Sequence, residues 1–137
     1  MTVLDTSGVV DFLVGDQAAV EVADLFRNEG TLPVPDLLVF EVVAVFRRQV
    51  QRQAMNSERA KSAVEDLVDL PLEVFPTLPL RTRVWELRDN FTAADAFFVA
   101  LAERLEEPLA TKDRRLATAA RAKTRIRIIE LGVARSD

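Results

Sequence analysis

Cysteine, histidine and tyrosine are all absent from this chain. Without cysteine there is no disulfide framework, no thiolate metal site and no thiol nucleophile. Without histidine and tyrosine two common general bases are missing as well, and any chemistry falls to carboxylates, hydroxyls, lysine and arginine. No apolar run reaches the length of about 20 residues that crosses a bilayer. The opening Met1-Thr2-Val3-Leu4-Asp5 has no basic leader and meets an acid before a long apolar stretch can form. Neither a signal peptide nor a membrane segment is expected, and a cytoplasmic location fits best.

What is present places the chain among globular proteins. With 137 residues, 49% hydrophobic and 29% charged, it suits one domain spanning residues 1–137 with a core of its own. The formal charge of −4 hides a polarity along the chain. Residues 1–40 hold seven acids against Arg27 alone, whereas residues 111–127 hold seven bases against Asp113 alone. A basic segment of that kind is either a solvated surface or a receiver of phosphates.

Short apolar runs alternate with helical patterns. Thr2 to Leu4 reads as a strand stopped by Asp5-Thr6-Ser7-Gly8, which can also open a helix. Gln17 to Arg27 has helical spacing, Leu32-Pro33-Val34-Pro35 is a short extended segment, and Asp36 is the expected cap of a helix over Leu37 to Val50. Ser57 is expected to cap a helix running to Leu70, with Ala60, Ala63, Val64, Leu67 and Val68 on one face. Leu72 to Phe75 is a strand, Pro79 opens a helix, and Thr92 caps another that carries Phe97 and Phe98 toward the core. Pro108-Leu109-Ala110 is a strand, Asp113 caps Arg114 to about Ala122, and Arg127 to Leu131 is the last strand. Strands alternating with helices imply an α/β layer with a mostly parallel sheet.

Four acids, Asp5, Glu41, Asp95 and Asp113, stand at the ends of apolar runs or inside apolar helical stretches. Each has an ordinary explanation. Asp5 and Asp113 suit N-caps, and Thr92-Ala93-Ala94-Asp95 suits a capping box. Glu41 is harder to dismiss, because Leu37, Leu38, Ala44 and Val45 surround it one turn away. Residues just after the strands of a parallel sheet gather at one edge, where such folds place ligands, so all four acids could meet there. Clustered carboxylates repel one another unless something positive joins them, and a hard divalent cation is the simplest candidate. Metal-assisted hydrolysis requires only such carboxylates.

At this point the residues resemble a family. Asp5-Thr6-Ser7 after an N-terminal strand, Glu41 in a helix, Thr92-Ala93-Ala94-Asp95-Ala96 opening a helix, and Thr111-Lys112-Asp113-Arg114-Arg115-Leu116 near the C-terminus look like a PIN-domain nuclease of the VapC toxin type. The resemblance spans nearly the whole chain. It implies a three-layer α/β/α sandwich around a mostly parallel, about five-stranded sheet, and an endoribonuclease that uses Mg²⁺ or Mn²⁺. It also implies a homodimer neutralised by a cognate VapB-type antitoxin. Carried over by position, Asp5, Glu41, Asp95 and Asp113 would be the catalytic, metal-binding acids, oriented by Thr111 and by Thr6 or Ser7. Many relatives carry a further acid two residues after the fourth; this chain has Arg115 there, which argues against a second metal ion.

An acidic pocket repels a polyanion, so an adjacent cationic surface is needed. The basic C-terminal segment, led by Lys112, Arg114 and Arg115, is expected to receive RNA there. Arg47 and Arg48, placed at the far end of their helix from Glu41, are expected to matter less. Other readings fit the residues less well. A phosphoacceptor receiver domain usually has an acidic pair at the end of its first strand, and a phosphatase of the haloacid dehalogenase type needs a second acid where Ser7 stands. A PIN fold that only binds RNA or protein has no need of all four acids.

Overall fold

The computed structural model describes residues 1–133; the last four residues of the expected 1–137 domain lie outside the described residues. Five strands, β1 (Val3–Leu4), β2 (Leu32–Pro35), β3 (Leu72–Phe75), β4 (Leu109–Thr111) and β5 (Ile128–Glu130), all pair in parallel. Seven α-helices are found among the described residues: α1 (Thr6–Val14), α2 (Ala19–Glu29), α3 (Leu38–Gln51), α4 (Ser57–Asp66), α5 (Arg81–Glu86), α6 (Ala93–Leu105) and α7 (Arg114–Lys123). Strand–helix alternation makes every crossover helical, as parallel pairing requires. The result is the expected α/β/α sandwich.

The sheet is split into two ladders, β1-β4-β5 and β2-β3, although β1 and β2 lie side by side. The prolines of β2 account for the gap. Leu32 and Asp36 donate their N–H groups toward β3, at 3.1 Å to Pro71 O and 2.8 Å to Phe75 O. Alternate residues point their N–H groups to opposite sides of a strand, so Pro33 and Pro35 face β1, and proline has no N–H to give. On the other side of the gap, the Thr2 N–H is taken by the Glu29 carboxylate.

Val3, Leu4, Leu32, Val34, Leu109 and Ala110 have no measurable exposure, the pattern of strands covered on both faces. Helix α6 packs across β1, β2 and β4, with Phe98 and Leu101 in the core, while α1 packs on β4 and gathers α2, α3 and α4 around itself. Helix α1 approaches β1 closely at Gly8. A Cβ there would stand 2.7 Å from Leu4 Cδ1 and 3.0 Å from Leu131 Cδ1, so no larger residue fits unaltered.

Local expectations fail at two caps, at the end of one helix and at the start of another. Helix α3 starts one residue later than foreseen, with Leu37 and not Asp36 at its cap position. Asn56, not Ser57, caps α4 by accepting the Glu58 and Arg59 N–H groups. Its oxygen reaches the second and third helical N–H groups, the geometry a cap needs, and that makes Ser57 the first helical residue. Val68 is 84% exposed, because α4 gives way to a 3-10 turn over Leu67–Asp69 and the helical face is lost. The helix foreseen from Pro79 begins as a 3-10 turn at Leu78–Leu80 and becomes α5 only at Arg81.

Candidate active site

All four acids line one cleft of about 530 Å³ at the C-terminal edge of the strands. Asp5 follows β1 directly. It stands at the N-cap position of α1, yet its carboxylate makes no cap hydrogen bond. Instead, Thr111 Oγ1 donates to Asp5 Oδ2 at 2.5 Å and Ser7 Oγ donates to the same oxygen at 3.0 Å. The Ser7 hydroxyl oxygen in turn accepts the Lys112 N–H at 3.0 Å, and Thr111 Oγ1 accepts the Asp113 N–H at 3.0 Å. A closed network thus ties the end of β1 to the β4–α7 turn. Of the two hydroxyls considered beside Thr111, Ser7 reaches Asp5; Thr6 Oγ1 is buried and has no hydrogen-bond partner among the described residues.

The other acids arrive from separate elements. Asp113 caps α7, with Oδ1 accepting the Arg115 and Leu116 N–H groups at 2.9 and 3.2 Å. That leaves Oδ2 for another partner. Asp95, in the first turn of α6, donates its N–H to Thr92 Oγ1 at 3.2 Å, which is the forward half of the expected capping box. Glu41, in the first turn of α3, is half-buried. The ordinary capping explanation therefore holds in full for Asp113, in part for Asp95 and not for Asp5.

Electrostatics joins the four. Burial pushes the Asp5 carboxyl up to about 6, helped by the charge of Asp95 and resisted by the hydroxyls of Thr111 and Ser7 and by the Thr6 backbone. Glu41 is raised by burial and then by Asp95, with Arg48 lowering it. Asp95 is raised by burial and then by Asp113, against the Thr92 hydroxyl and Arg115. Asp95 is the hub, since it acts on Asp5 and Glu41 and is acted on by Asp113. Four carboxylates facing one space cannot all ionise cheaply without a cation among them.

Among the described residues no three of these acids close into a ready-made metal cage. The donor set nonetheless fits a hard cation: every available donor is oxygen, Asp113 keeps one oxygen free of its cap, and the raised acids carry an unmet demand for positive charge. Mg²⁺ commonly takes only one or two carboxylates and keeps several waters, so it needs no cage.

The expected cations divide. Lys112 lines the cleft, but its ammonium lies 2.9 Å from the carboxylate of Asp11, which is 5% exposed and also accepts the Ala18 N–H at 3.0 Å. Arg114 opens instead on a neighbouring pocket of about 260 Å³ beside Gln17 and Glu130. Arg115 acts on Asp95. The rest of the basic segment turns away from the cleft: Arg121 pairs with Glu130 at 2.8 Å, and Lys123, Arg125 and Arg127 line a groove with Glu103, Glu106 and Glu107 near Pro108, at the opposite end of β4.

Asp11 and Asp16 line the cleft without having been foreseen there, and Arg48, expected to matter less at the far end of its helix from Glu41, lines it as well. Asp11 is an acid inside the apolar run Val9-Val10-Asp11-Phe12-Leu13, the same signal that singled out Glu41. Arg48 stands seven residues after Glu41, which is two turns along the same helical face. Distance in sequence hid its place in the cleft.

An acid-lined cleft at the strand ends of a parallel α/β/α sandwich defines a class of α/β proteins with a carboxylate site at the sheet edge, and comparison narrows it. Residues 2–122 match the family model described as the PIN domain. Ribonuclease VapC12 of Mycobacterium tuberculosis is 37% identical over 117 residues, covering 85% of this chain and 90% of its own. Among solved structures, PAE2754 from Pyrobaculum aerophilum aligns with a TM-score of 0.71 at 16% identity, over 93% of this chain and 82% of its own. VapBC2 from Rickettsia felis, solved bound to a DNA fragment from its promoter, aligns with a TM-score of 0.66 at 11% identity, over 95% of this chain and 98% of its own. The chain belongs to the PIN-domain family, on its VapC ribonuclease branch. No helix among the described residues is long and apolar enough to cross a membrane.

Proposed function

We propose that this protein is the toxin of a VapBC-type toxin–antitoxin pair, a cytoplasmic endoribonuclease that hydrolyses RNA phosphodiester bonds in the acid cleft. The observation that carries this reading is the convergence of Asp5, Glu41, Asp95 and Asp113 on one cleft, in a chain with no histidine, cysteine or tyrosine to support another hydrolytic scheme. Asp5, Asp95, Asp113 and Glu41 would hold Mg²⁺ or Mn²⁺. When bound, that ion supplies Lewis-acid stabilisation of phosphoryl charge and lowers the pKa of the attacking water.

The chain's own groups do the rest. Thr111 and Ser7 fix Asp5 Oδ2, so Asp5 meets its ligand in one orientation without reorganising. Asp113 is held at the first turn of α7, where its Oδ1 accepts the Arg115 and Leu116 N–H groups. Glu41 and Asp95 are both raised by burial, so each resists ionising unless a cation stands beside it. Arg115 offsets the charge at Asp95.

A VapB-type antitoxin is the expected partner, a role supported by the fold shared with the VapBC2 assembly. A homodimer is supported by the apolar residues that α3 leaves in solvent: Val39, Phe40 and Val43 are 54%, 73% and 43% exposed. The domain is proposed to span the whole chain.

The test is cleavage of single-stranded RNA with and without EDTA, for the wild type and for Asp5→Asn and Asp95→Asn. Cleavage is expected to require the divalent cation and to be lost in both variants while their far-UV circular dichroism is retained. Undiminished cleavage in excess EDTA would reject the proposal.

A further inference from the structure

We propose that Arg48 grips a backbone phosphate of the RNA next to the scissile bond, so that the substrate lies along α3 rather than along the 112–127 segment. This rests on the nuclease reading above and adds to it the path of the strand. The first ground is position. Seven residues at 1.5 Å place Arg48 about 10.5 Å along the axis from Glu41, with a rotation only about 20° off the same face. Its side chain lines the acid cleft, and that of Arg47 does not.

The second ground is availability. Among the described residues the Arg48 side chain has no ion pair and no hydrogen bond, whereas Lys112 is committed to Asp11, Arg121 to Glu130 and Arg83 to Glu103. The third is charge. Six acids line the cleft and repel a polyanion, and among the described residues Arg48 is the cleft-lining cation whose charge is not already paired. Its field is already felt at Glu41. A guanidinium presents a planar fork that matches two phosphate oxygens, which a solvated lysine does not. Val45, Gln49, Ala54 and Met55 line the cleft with Arg48 and offer an uncharged wall for the flanking nucleotide.

The measurement is fluorescence anisotropy with a short, fluorescein-labelled single-stranded RNA of mixed sequence, titrated at several salt concentrations. The parent is Asp95→Asn, which keeps the RNA intact. Arg48→Ala in that background is expected to weaken binding about tenfold and to reduce the salt slope by about 0.7, the signature of one lost phosphate contact on a single strand. Arg47→Ala, one residue away and outside the cleft, is expected to leave the slope unchanged. Arg48→Lys should keep the slope and recover only part of the affinity. If Arg48→Ala in the wild type alters metal affinity or the pH profile of cleavage, while in the Asp95→Asn background it leaves RNA binding and its slope intact, Arg48 only tempers Glu41 and the inference is overturned. Equal effects at Arg47 and Arg48 overturn it too, with the nuclease reading untouched, whereas no RNA binding by the parent overturns both.

Discussion

Replacing Asp5 with asparagine should make the metal-free protein more stable in alkaline solution, although it removes the residue around which the site is built. In the fold the Asp5 carboxyl is pushed up to about 6 from an ordinary 3.8, chiefly by burial. The native state therefore binds this proton more tightly than the unfolded chain does. The sign follows from linkage: the contribution of Asp5 favours the fold most below pH 3.8 and is lost as the pH rises through 6. The full gap is worth about 3 kcal/mol, of which about 2 kcal/mol falls between pH 4.5 and pH 8. Asparagine has the same shape and does not titrate. Glu41 and Asp95 titrate in both proteins and largely cancel in the comparison, and Asp95 gains from losing its charged neighbour.

The assay is thermal unfolding of wild type and Asp5→Asn in EDTA at the two pH values. At roughly 4 °C per kcal/mol for a chain of this size, the wild type should lose about 8 °C relative to the variant on going to pH 8. Adding Mg²⁺ at pH 8 should then stabilise the wild type more than the variant, because a cation that binds only the fold shifts the balance in proportion to its affinity. Parallel melting curves in EDTA would show that Asp5 is not held in a protonation-favouring site, and the argument for a charge-starved cleft would fail with it.

Lys112→Met should destabilise the protein by about 2 kcal/mol, since it leaves the almost buried Asp11 carboxylate without its partner; the figure is kept below that of a fully buried pair because Lys112 is a third exposed. A urea midpoint equal to that of the wild type would mean that the lysine is free for other work, phosphate binding included. Phe40→Asp should convert a dimer into a monomer with little change in melting temperature, because Phe40 is 73% exposed in the single chain. Light scattering at micromolar concentration reads both proteins, and a monomeric mass for the wild type would reject the dimer.

Much of this protein was legible in the order of its residues. Strand and helix positions followed from apolar period and turn chemistry, and fell within a few residues of the structure because those signals are local: the run Leu72 to Phe75 is β3 as read, and the Leu37 to Val50 helix is α3 displaced by one residue. The four acids were visible because a charge inside an apolar stretch is costly wherever the chain goes. Their meeting in one cleft was an expectation from parallel topology, which sends strand ends to one edge; Glu41 and Asp95 reach it from the first turns of α3 and α6.

Tertiary packing decided the rest. Whether Asp5 caps a helix or faces Thr111 depends on a residue 106 positions away. Whether Pro33 and Pro35 weaken the sheet depends on which neighbour their missing N–H groups would have faced, and only the pairing of β2 with β3 sets that. The basic C-terminal run looked like one surface because charge counted along a sequence has no direction. Folded, it parts at α7: Lys112 turns to Asp11, Arg121 to Glu130, and the bases after it to the opposite end of β4, while Arg48 comes into the cleft from another helix. A sequence can specify the acids because their cost is intrinsic to each residue, but it cannot specify their cations, because an ion pair is a property of two places at once.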